Sequence, residues 1–319
     1  MALNKKVAAA VGTSVAVSAL SFMMSDYIMR MAMDRKMPKT NFTRRGEDPY
    51  AVFDEYAERL KNTPHETVEI ESHDGLKLVG HWFENEDPKR IILAAHGWRS
   101  HWYRDFAYSF QFLRDQGCSI LYIEQRAQGA SEGKYMGFGL TERYDILDWL
   151  AWIRERCGTD LPVYLAGISM GATTVLMASG LELPPEVKGI IADSGFTSPA
   201  EIWKHVAKKN MHLPFLLTDL YSRILCRLKL GVASNSYSTV DALKTNTSIP
   251  VLFVHGQDDS FVPVEMTKEN YAACAAPKDI LIVPGAIHGM GYYVERRSTR
   301  RRRKNSLENT TNKERMTVR

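Results

Sequence analysis

A serine between two glycines is the residue whose type and setting point most directly to chemistry. Residues 167–171 read Gly-Ile-Ser-Met-Gly, with Ser169 at the centre. The apolar run 163–168 predicts a buried strand, and the small residues 172–179 predict a helix that stops at Gly180. A strand, a sharp turn and a helix hold a serine hydroxyl clear of a sheet, at the positive end of a helix. We therefore expect a nucleophile, and the competing interpretation is a tight turn with a capping serine.

A serine hydroxyl needs a base at neutral pH, and the base needs an orienting carboxylate. The last predicted strand, 279–283, leads into a loop of small residues that contains His288. The strand before it, 249–254, leads into a loop that contains Asp258 and Asp259. We expect the histidine to be the base, with a surface loop histidine as the alternative. The residues by themselves leave two candidates for the acid.

Elements that could position these residues alternate along most of the chain. Apolar strands separated by helices are typical of a mostly parallel sheet covered by helices on both faces, which places this protein in the α/β class. Ligands of such sheets bind at the carboxyl ends of the strands. The first two strands, joined by the turn 73–75, predict an antiparallel entry to the sheet. The predicted strands are 67–72, 76–84, 90–95, 119–123, 163–168, 187–192, 249–254 and 279–283, and the predicted helices are 48–61, 105–116, 141–157, 172–179 and 264–275.

The alternation stops between Phe196 and Ser248. This segment has apolar residues at helical spacing, and it is too long for a bare connection in a compact domain. We expect an inserted helical cap over the active-site end of the sheet. The alternative is a set of ordinary helices at the sheet edge. The predicted organisation is thus a segment and linker at 1–45, a catalytic domain at 46–290 with the cap at 196–248, and a tail at 291–319.

The N-terminal segment predicts contact with a membrane. Lys5 and Lys6 precede the uncharged run 7–24, which is at the short end of what spans a bilayer. An uncleaved transmembrane anchor is the leading interpretation, with a cleaved signal peptide and an amphipathic or buried helix as alternatives. The side of the membrane stays open, because further basic residues follow the run.

The basic character of the chain is concentrated in its tail. The formal net charge is +4, and seven basic residues with no acidic one lie in Arg296–Lys304, so subtracting those seven leaves −3 for the rest. A charge run of this kind is usually solvated, and its functional interpretation is attraction to anionic lipid headgroups. Nothing predicts a nucleic-acid partner. The four cysteines form no CxxC pair, which argues against a zinc site and a disulfide scaffold.

Four phrases in residues 69–290 resemble the α/β-hydrolase superfamily, specifically its serine aminopeptidase-like and esterase-like bacterial members. They are the serine turn, His96-Gly97-Trp98, the run Arg-x-x-Gly-x-Ser-x-Gly at 126–133, and the two loops with Asp259 and His288. The family phrase His-Gly-x-x-Asp-x-x-Val-Pro implies Asp259 as the acid, with Asp258 as the alternative. The family normally ends with a helix after the histidine loop, whereas here residues 291–294 give way to the basic run 296–304. The last helix is therefore expected to be either short and basic or absent.

The resemblance also implies an oxyanion hole made of the backbone N–H groups of Trp98 and Met170. His96, His255 and Arg126 lie in recurring strand-end phrases, and we expect structural roles for them. Ser169, Asp259 and His288 would then cleave carboxylic esters through an acyl-enzyme, with amides or peptides as the less favoured substrates. Neither a metal nor an organic cofactor is required. The alternative from another class is a membrane-tethered interaction protein on a hydrolase scaffold that no longer turns over.

Overall fold

A computed structural model describes residues 2–36, 50–211 and 215–295. Its eight strands are β1 (Glu66–Glu71), β2 (Lys77–Phe83), β3 (Arg90–Ala95), β4 (Cys118–Ile123), β5 (Val163–Ile168), β6 (Val187–Asp193), β7 (Val251–Gly256) and β8 (Lys278–Val283). Its helices are α1 (Ala2–Met33), α2 (Asp54–Asn62), α3 (Trp102–Asp105), α4 (Ala107–Asp115), α5 (Glu142–Cys157), α6 (Met170–Ala178), α7 (Pro199–Met211), α8 (Phe215–Leu230), α9 (Thr239–Thr245) and α10 (Val264–Ala273). Residues 51–53 form a 3₁₀ turn, and residues 291–295 are helical.

The strands form one sheet in the spatial order β1-β2-β4-β3-β5-β6-β7-β8. β2 runs antiparallel to both β1 and β4, and the remaining neighbours pair in parallel. The mostly parallel sheet and its antiparallel entry are confirmed. Continuous apolar strands are the physical reason, because helices on both faces remove each strand from water. Ile91 to Ala95 of β3 are all buried.

The parallel order brings the carboxyl ends of six strands to one edge of the sheet. The consecutive parallel neighbours are β4, β3, β5, β6, β7 and β8, so the residues that follow them meet there. These residues include His96, Ser169, Ser194 and Gln257. This is the edge at which α/β sheets bind ligands.

One predicted helix differs from the structure, and a neighbouring helix begins without a side-chain cap. The helix predicted over 105–116 is divided into α3 and α4 at Phe106. Thr141 stands at the N-cap of α5, but its side chain makes no capping bond. The buried Glu142 carboxylate accepts the N–H groups of Gly137 at 2.6 Å and Gly139 at 2.9 Å. A buried carboxylate needs such donors, so it takes the loop amides that precede the helix.

The segment between residues 196 and 248 contributes helices to two places. α7 and α8 pack on each other, and α8 packs along α1. α9 begins at a capping box formed by Ser238 and Asp241, and it packs on α6 and α10 in the layer that covers the sheet. The whole segment is therefore not one cap, since its last helix belongs to the main helical layer.

The N-terminal segment forms the long helix α1. The ring of Phe22 meets the ring of Tyr221 of α8 edge to face at 5.5 Å, and Met29 and Met33 are fully buried. Within the described residues, no helix combines the length and apolarity needed to cross a bilayer. The predicted transmembrane helix is thus unsupported. Two predicted regions lie outside the described residues. Residues 37–49 contain the end of the predicted linker and the start of the helix predicted at 48–61. Residues 296–319 contain most of the predicted tail, with its lipid contact at 296–304.

Candidate active site

Ser169 occupies a strained turn between β5 and α6. Its backbone has φ +56° and ψ −116°, a conformation that costs a non-glycine residue about 1–3 kcal/mol. Close packing explains the flanking glycines. A Cβ on Gly167 would overlap the carbonyl of Gly171, and one on Gly171 would overlap the carbonyl oxygen of Ala95. The N–H of Ser169 donates to the carbonyl of Asp193 at 2.8 Å, which ties the turn to the end of β6.

The structure joins His288 to Asp259. Nδ1 of His288 lies 2.6 Å from Oδ2 of Asp259, whose side chain is completely buried. The other carboxylate oxygen accepts the N–H groups of Phe261 at 2.8 Å and Val262 at 2.9 Å. The Tyr50 hydroxyl donates to the carbonyl of His288 at 3.0 Å, and the ring of Phe261 packs edge-on against the imidazole. Nδ1 is thereby occupied, so Nε2 is the nitrogen that can act as a base.

His255 lies beneath this pair. Its Nε2 is 3.2 Å from Oδ2 of Asp259 and 3.0 Å from the carbonyl of Val262, while its Nδ1 lies 2.7 Å from the Thr267 hydroxyl. Two acceptors at Nε2 assign the proton to that atom. Burial by itself would raise the pKa of Asp259, but hydrogen bonds from His255 and His288 outweigh it and hold that pKa below its ordinary value.

The geometry separates the two acids that the sequence left open. Asp258 is exposed, and its backbone N–H donates to the carbonyl of Ala286 at 3.0 Å. Asp259 points inward to the imidazole of His288. Adjacent residues in this turn face opposite sides, so only one of them can reach the base.

Ser169 and His288 lie on neighbouring loops without a direct bond. Among the described contacts, none joins the serine hydroxyl to the imidazole. Gly289 donates its N–H to the Ser194 hydroxyl at 3.5 Å, and a Cβ on Gly289 would lie 3.4 Å from the side chain of Ile168. The histidine loop thus contacts Ile168, directly before Ser169, and Ser194, directly after β6. Serine–base contacts are often long before substrate binds.

The two expected oxyanion donors come from loops that approach the same serine. Met170 is fully buried at the first position of α6, where helix N–H groups have no partner within the helix. Trp98 follows Gly97, and a Cβ on Gly97 would lie 3.4 Å from Cβ of Ser169. The backbone of both residues is therefore adjacent to the serine turn.

Residues 86–241 match the family described as serine aminopeptidase, S33. That segment contains β3 to β6, the serine turn and the loop after β3. The chain has the α/β-hydrolase fold.

Known proteins resemble this α/β hydrolase over most of its length. The uncharacterized protein YqkD of Bacillus subtilis is 26% identical over 306 residues, covering 96% of this chain and 98% of that protein. A structure of the Pyrococcus furiosus esterase Pf2001 is similar with a TM-score of 0.60 at 21% identity, covering 86% of this chain and 97% of that one. Lysophosphatidylserine lipase ABHD12 of Xenopus tropicalis is 27% identical over 175 residues, covering 54% of this hydrolase and 43% of that protein.

The strand-end residues with expected structural roles are held within the fold. His96 is buried, with Nδ1 2.8 Å from the carbonyl of Gly97 and Nε2 accepting the N–H of Gln125 at 3.3 Å. The Arg126 guanidinium donates to the Asp145 carboxylate through Nε at 2.7 Å and also through Nη2. It donates to the Asp74 carboxylate through Nη1 at 2.8 Å and Nη2 at 3.1 Å. These contacts shape the loops around the site.

Sequence reasoning missed two residues at the end of β6 that contact the serine turn and the histidine loop. Asp193 is the last residue of β6, and its carbonyl accepts the N–H of Ser169. Ser194 follows β6, and its hydroxyl contacts the histidine loop. Burial raises the pKa of the Asp193 carboxyl, which accepts a hydrogen bond from Ser194 at 2.8 Å. Their position at the end of the predicted strand 187–192 was a usable signal, because ligands of such sheets bind at the carboxyl ends of strands.

One group of side chains has metal-binding types at suitable spacing. Ligand atoms of His73, Asp145 and Asp148 lie within 4.8 Å of one another. Arg126 already occupies both oxygens of Asp145, and the His73 ring is bonded to Asp148 at 2.9 Å. The group is accounted for by ion pairs at the surface of α5.

Proposed function

We propose that this α/β hydrolase cleaves carboxylic esters through an acyl-enzyme, with Ser169 as nucleophile, His288 as base and Asp259 as orienting acid. The observation that carries the proposal is the 2.6 Å contact of His288 with a buried carboxylate on the loop beside the strained serine. The resemblance to the esterase Pf2001 and to the lysophosphatidylserine lipase ABHD12 supports an ester as the substrate class.

The chemistry proceeds in two halves. The Ser169 hydroxyl attacks the ester carbonyl carbon while its proton passes to Nε2 of His288. The oxyanion accepts the N–H groups of Trp98 and Met170, and its collapse expels the alcohol, which takes the proton from the imidazolium. Water then attacks the acyl-enzyme by the same route and releases the acid. Asp259 stays ionised throughout, consistent with a pKa held below its ordinary value.

A buried apolar cluster beside Ser169 favours an acyl or aromatic group on the substrate. A cluster of buried apolar side chains joins Met170 to α1, α7 and α8. Sites of this lining bind apolar groups and use a few polar atoms for orientation. We propose that the acyl group extends from Ser169 toward this cluster. The cluster includes Met29, Met33, Phe138, Phe196, Trp203 and Val262.

A fluorophosphonate probe tests the nucleophile. We expect labelling of the wild type, none of Ser169→Ala, and full labelling of Ser179→Ala, which alters a hydroxyl at the far end of the same helix. Rates on p-nitrophenyl esters of graded chain length, compared with aminoacyl-nitroanilides, then give the substrate class. Preference for anilides would make the enzyme a peptidase. An unlabelled and inactive folded protein would favour the non-catalytic scaffold instead.

We also propose that the N-terminal segment contacts anionic lipid. Among the described residues, ten of the fifteen exposed large apolar side chains lie on α1 and α8, including Leu20, Met23 and Leu228. Lys5 and Lys6 are the charged residues of the chain before Asp26, so this end suits an anionic surface. Wild type should float with phosphatidylglycerol vesicles, and Leu20→Glu with Met23→Glu should not. The control Leu281→Glu, on β8, should still float, and equal behaviour of all three proteins would refute the contact.

A further inference from the structure

The loop that follows β3 is fastened to the C-terminal end of α1. The indole N–H of Trp98 donates to the carbonyl oxygen of Ala32 at 2.8 Å. The next side chain, Arg99, continues the attachment over three more carbonyls. Its guanidinium donates to the carbonyl oxygens of Met31 at 3.0 Å, Asp34 at 2.6 Å and Arg35 at 3.3 Å.

The end of a helix is a natural partner for these donors. The last carbonyl groups of an α-helix have no N–H partner within the helix, and they form the negative end of its dipole. α1 ends at Met33, so the carbonyls of Met31 and Ala32 belong to this unpaired set. A planar cation with several N–H groups satisfies more than one of them at once. The side chains of the loop therefore supply N–H donors, and the end of α1 supplies the unpaired carbonyl acceptors.

Arg99 is held in a conformation that its own backbone disfavours. Its φ is +52°, in the left-handed region, which costs a non-glycine residue about 1–3 kcal/mol. Its N–H donates to the side-chain oxygen of Gln128 at 2.6 Å, and its guanidinium lies 5.2 Å from the ring centre of Trp98. Such strain persists where the surroundings over-determine it, and here the anchors are the contacts with Gln128 and α1.

The end of α1 is itself fixed to the body of the domain. Met136 donates its N–H to the carbonyl of Met33 at 2.7 Å, and Arg35 donates its N–H to the carbonyl of Lys134 at 3.0 Å. The Lys229 ammonium of α8 reaches the Asp34 carboxylate at 2.7 Å. The helix end is thus a rigid support, and α8 shares it.

A displacement of this loop would reach the nucleophile. On the other side of the loop, the N–H of Gly97 donates to Asp105 at 2.7 Å, and Gly97 packs directly against Ser169. The N–H of Trp98, the expected oxyanion donor, lies between this contact and the attachment to α1. Loss of the attachment would leave the donor held from one side alone.

We propose that Trp98 and Arg99 are positioning residues for the oxyanion hole, and that the C-terminal turn of α1 is the support to which they fasten it. This inference rests on the proposed function. It makes the N-terminal helix part of the catalytic unit. Because α1 packs on α8, the segment 196–248 is also connected to the position of the Trp98 N–H.

The test compares Arg99→Gln and Trp98→Phe with wild type, with Arg99→Lys as the conservative variant. Trp98→Phe keeps an aromatic ring and the backbone donor but removes the indole N–H. The control Arg30→Gln removes a basic residue at the same end of α1, where Arg30 pairs with Asp26 and not with the loop. The measurements are kcat and KM on a p-nitrophenyl ester, the inhibition constant of phenylboronic acid, and the pH dependence of kcat/KM.

Removing one oxyanion donor costs about 10²–10³ in kcat, and a misplaced donor should cost less, about tenfold to a hundredfold for Arg99→Gln. We expect KM within about twofold of wild type, because the loss falls on the transition state. Phenylboronic acid forms a tetrahedral adduct with the serine, so its inhibition constant should rise by the same factor as kcat falls. The pH profile should keep its shape, and Arg99→Lys should recover part of the loss.

Wild-type kcat and boronate affinity in both Arg99→Gln and Trp98→Phe would overturn the inference. Should Arg99→Gln fail to fold, as judged by circular dichroism, Trp98→Phe decides the question. Equal losses in Arg30→Gln would also overturn it, since a general effect of charge near α1 would then be the cause. An active wild type with unaffected variants rejects this inference alone, whereas an inactive, unlabelled wild type rejects the proposed function with it.

Discussion

Oδ2 of Asp259 lies 2.6 Å from Nδ1 of His288 and 3.2 Å from Nε2 of His255. One buried carboxylate oxygen thus serves two imidazoles, one at the expected active site and one in the core. The second oxygen is held by two backbone N–H groups of the same loop. The acid therefore has little freedom to turn, and the orientation of His288 follows from it.

Replacing each of the two neighbouring aspartates should show which one orients His288. We expect Asp259→Asn to lower kcat by about 10³–10⁴, because the amide cannot stabilise the imidazolium or fix its tautomer. Asp258→Asn changes an exposed side chain and should retain activity within about twofold. Steady-state kinetics on one p-nitrophenyl ester measure both. A larger loss of kcat in Asp258→Asn than in Asp259→Asn would refute the assignment of Asp259 as the acid.

The same carboxylate should make stability depend on pH. Its pKa is below the ordinary value in the folded protein, so its contribution is fully present above the unfolded pKa of about 3.9 and is lost as pH falls through the folded pKa. The gap in Tm between wild type and Asp259→Asn should therefore be constant from about pH 8 to pH 5 and shrink below about pH 4. Thermal unfolding across this range measures the gap. A gap that widens in acid would contradict the depressed pKa.

The Arg126 ion pair should contribute strongly to stability because it is buried. Its side chain is 6% exposed and that of Asp145 is 3% exposed. Arg126→Met leaves a buried carboxylate without its partner, and we expect a loss of about 3–5 kcal/mol in the free energy of unfolding. The control Lys77→Met removes a pair with Glu69 in which the two side chains are 49% and 54% exposed, and it should change stability little. Urea denaturation compares the two, and equal losses would refute the argument from burial.

The close packing of the serine turn should make Gly171 intolerant of any side chain. A Cβ there would overlap the backbone of β3 at Ala95, so the start of α6 would have to move away from the sheet. We expect Gly171→Ala to cost about 3 kcal/mol or more. Gly12→Ala is the matched control, since a Cβ at Gly12 meets nothing within 4 Å. Tm and fluorophosphonate labelling measure both variants, and wild-type behaviour of Gly171→Ala would show that the turn can relax.

Local sequence patterns predicted the strands and the sharp turn at Ser169. The apolar runs ending at Ala95, Ile168 and Gly256 carry their own signal, because a strand buried on both faces must be apolar throughout. The Gly-x-Ser-x-Gly phrase carries a second, because only glycine fits where β5 and α6 pass so closely. Both are properties of a few adjacent residues, so a sequence states them without its fold.

Contacts between distant segments were decided by the tertiary structure alone. Residue type and position after a strand did not separate Asp258 from Asp259, and only the resemblance to a family phrase favoured Asp259. The turn after β7 buries Asp259 and exposes Asp258. The attachment of Trp98 and Arg99 to residues 31–35 had no sequence signal, since carbonyl oxygens are present at every position. A helix end becomes a specific acceptor only when folding brings unpaired donors to it. For this reason candidate residues of the site could be proposed from the sequence, but the contacts that hold them could not.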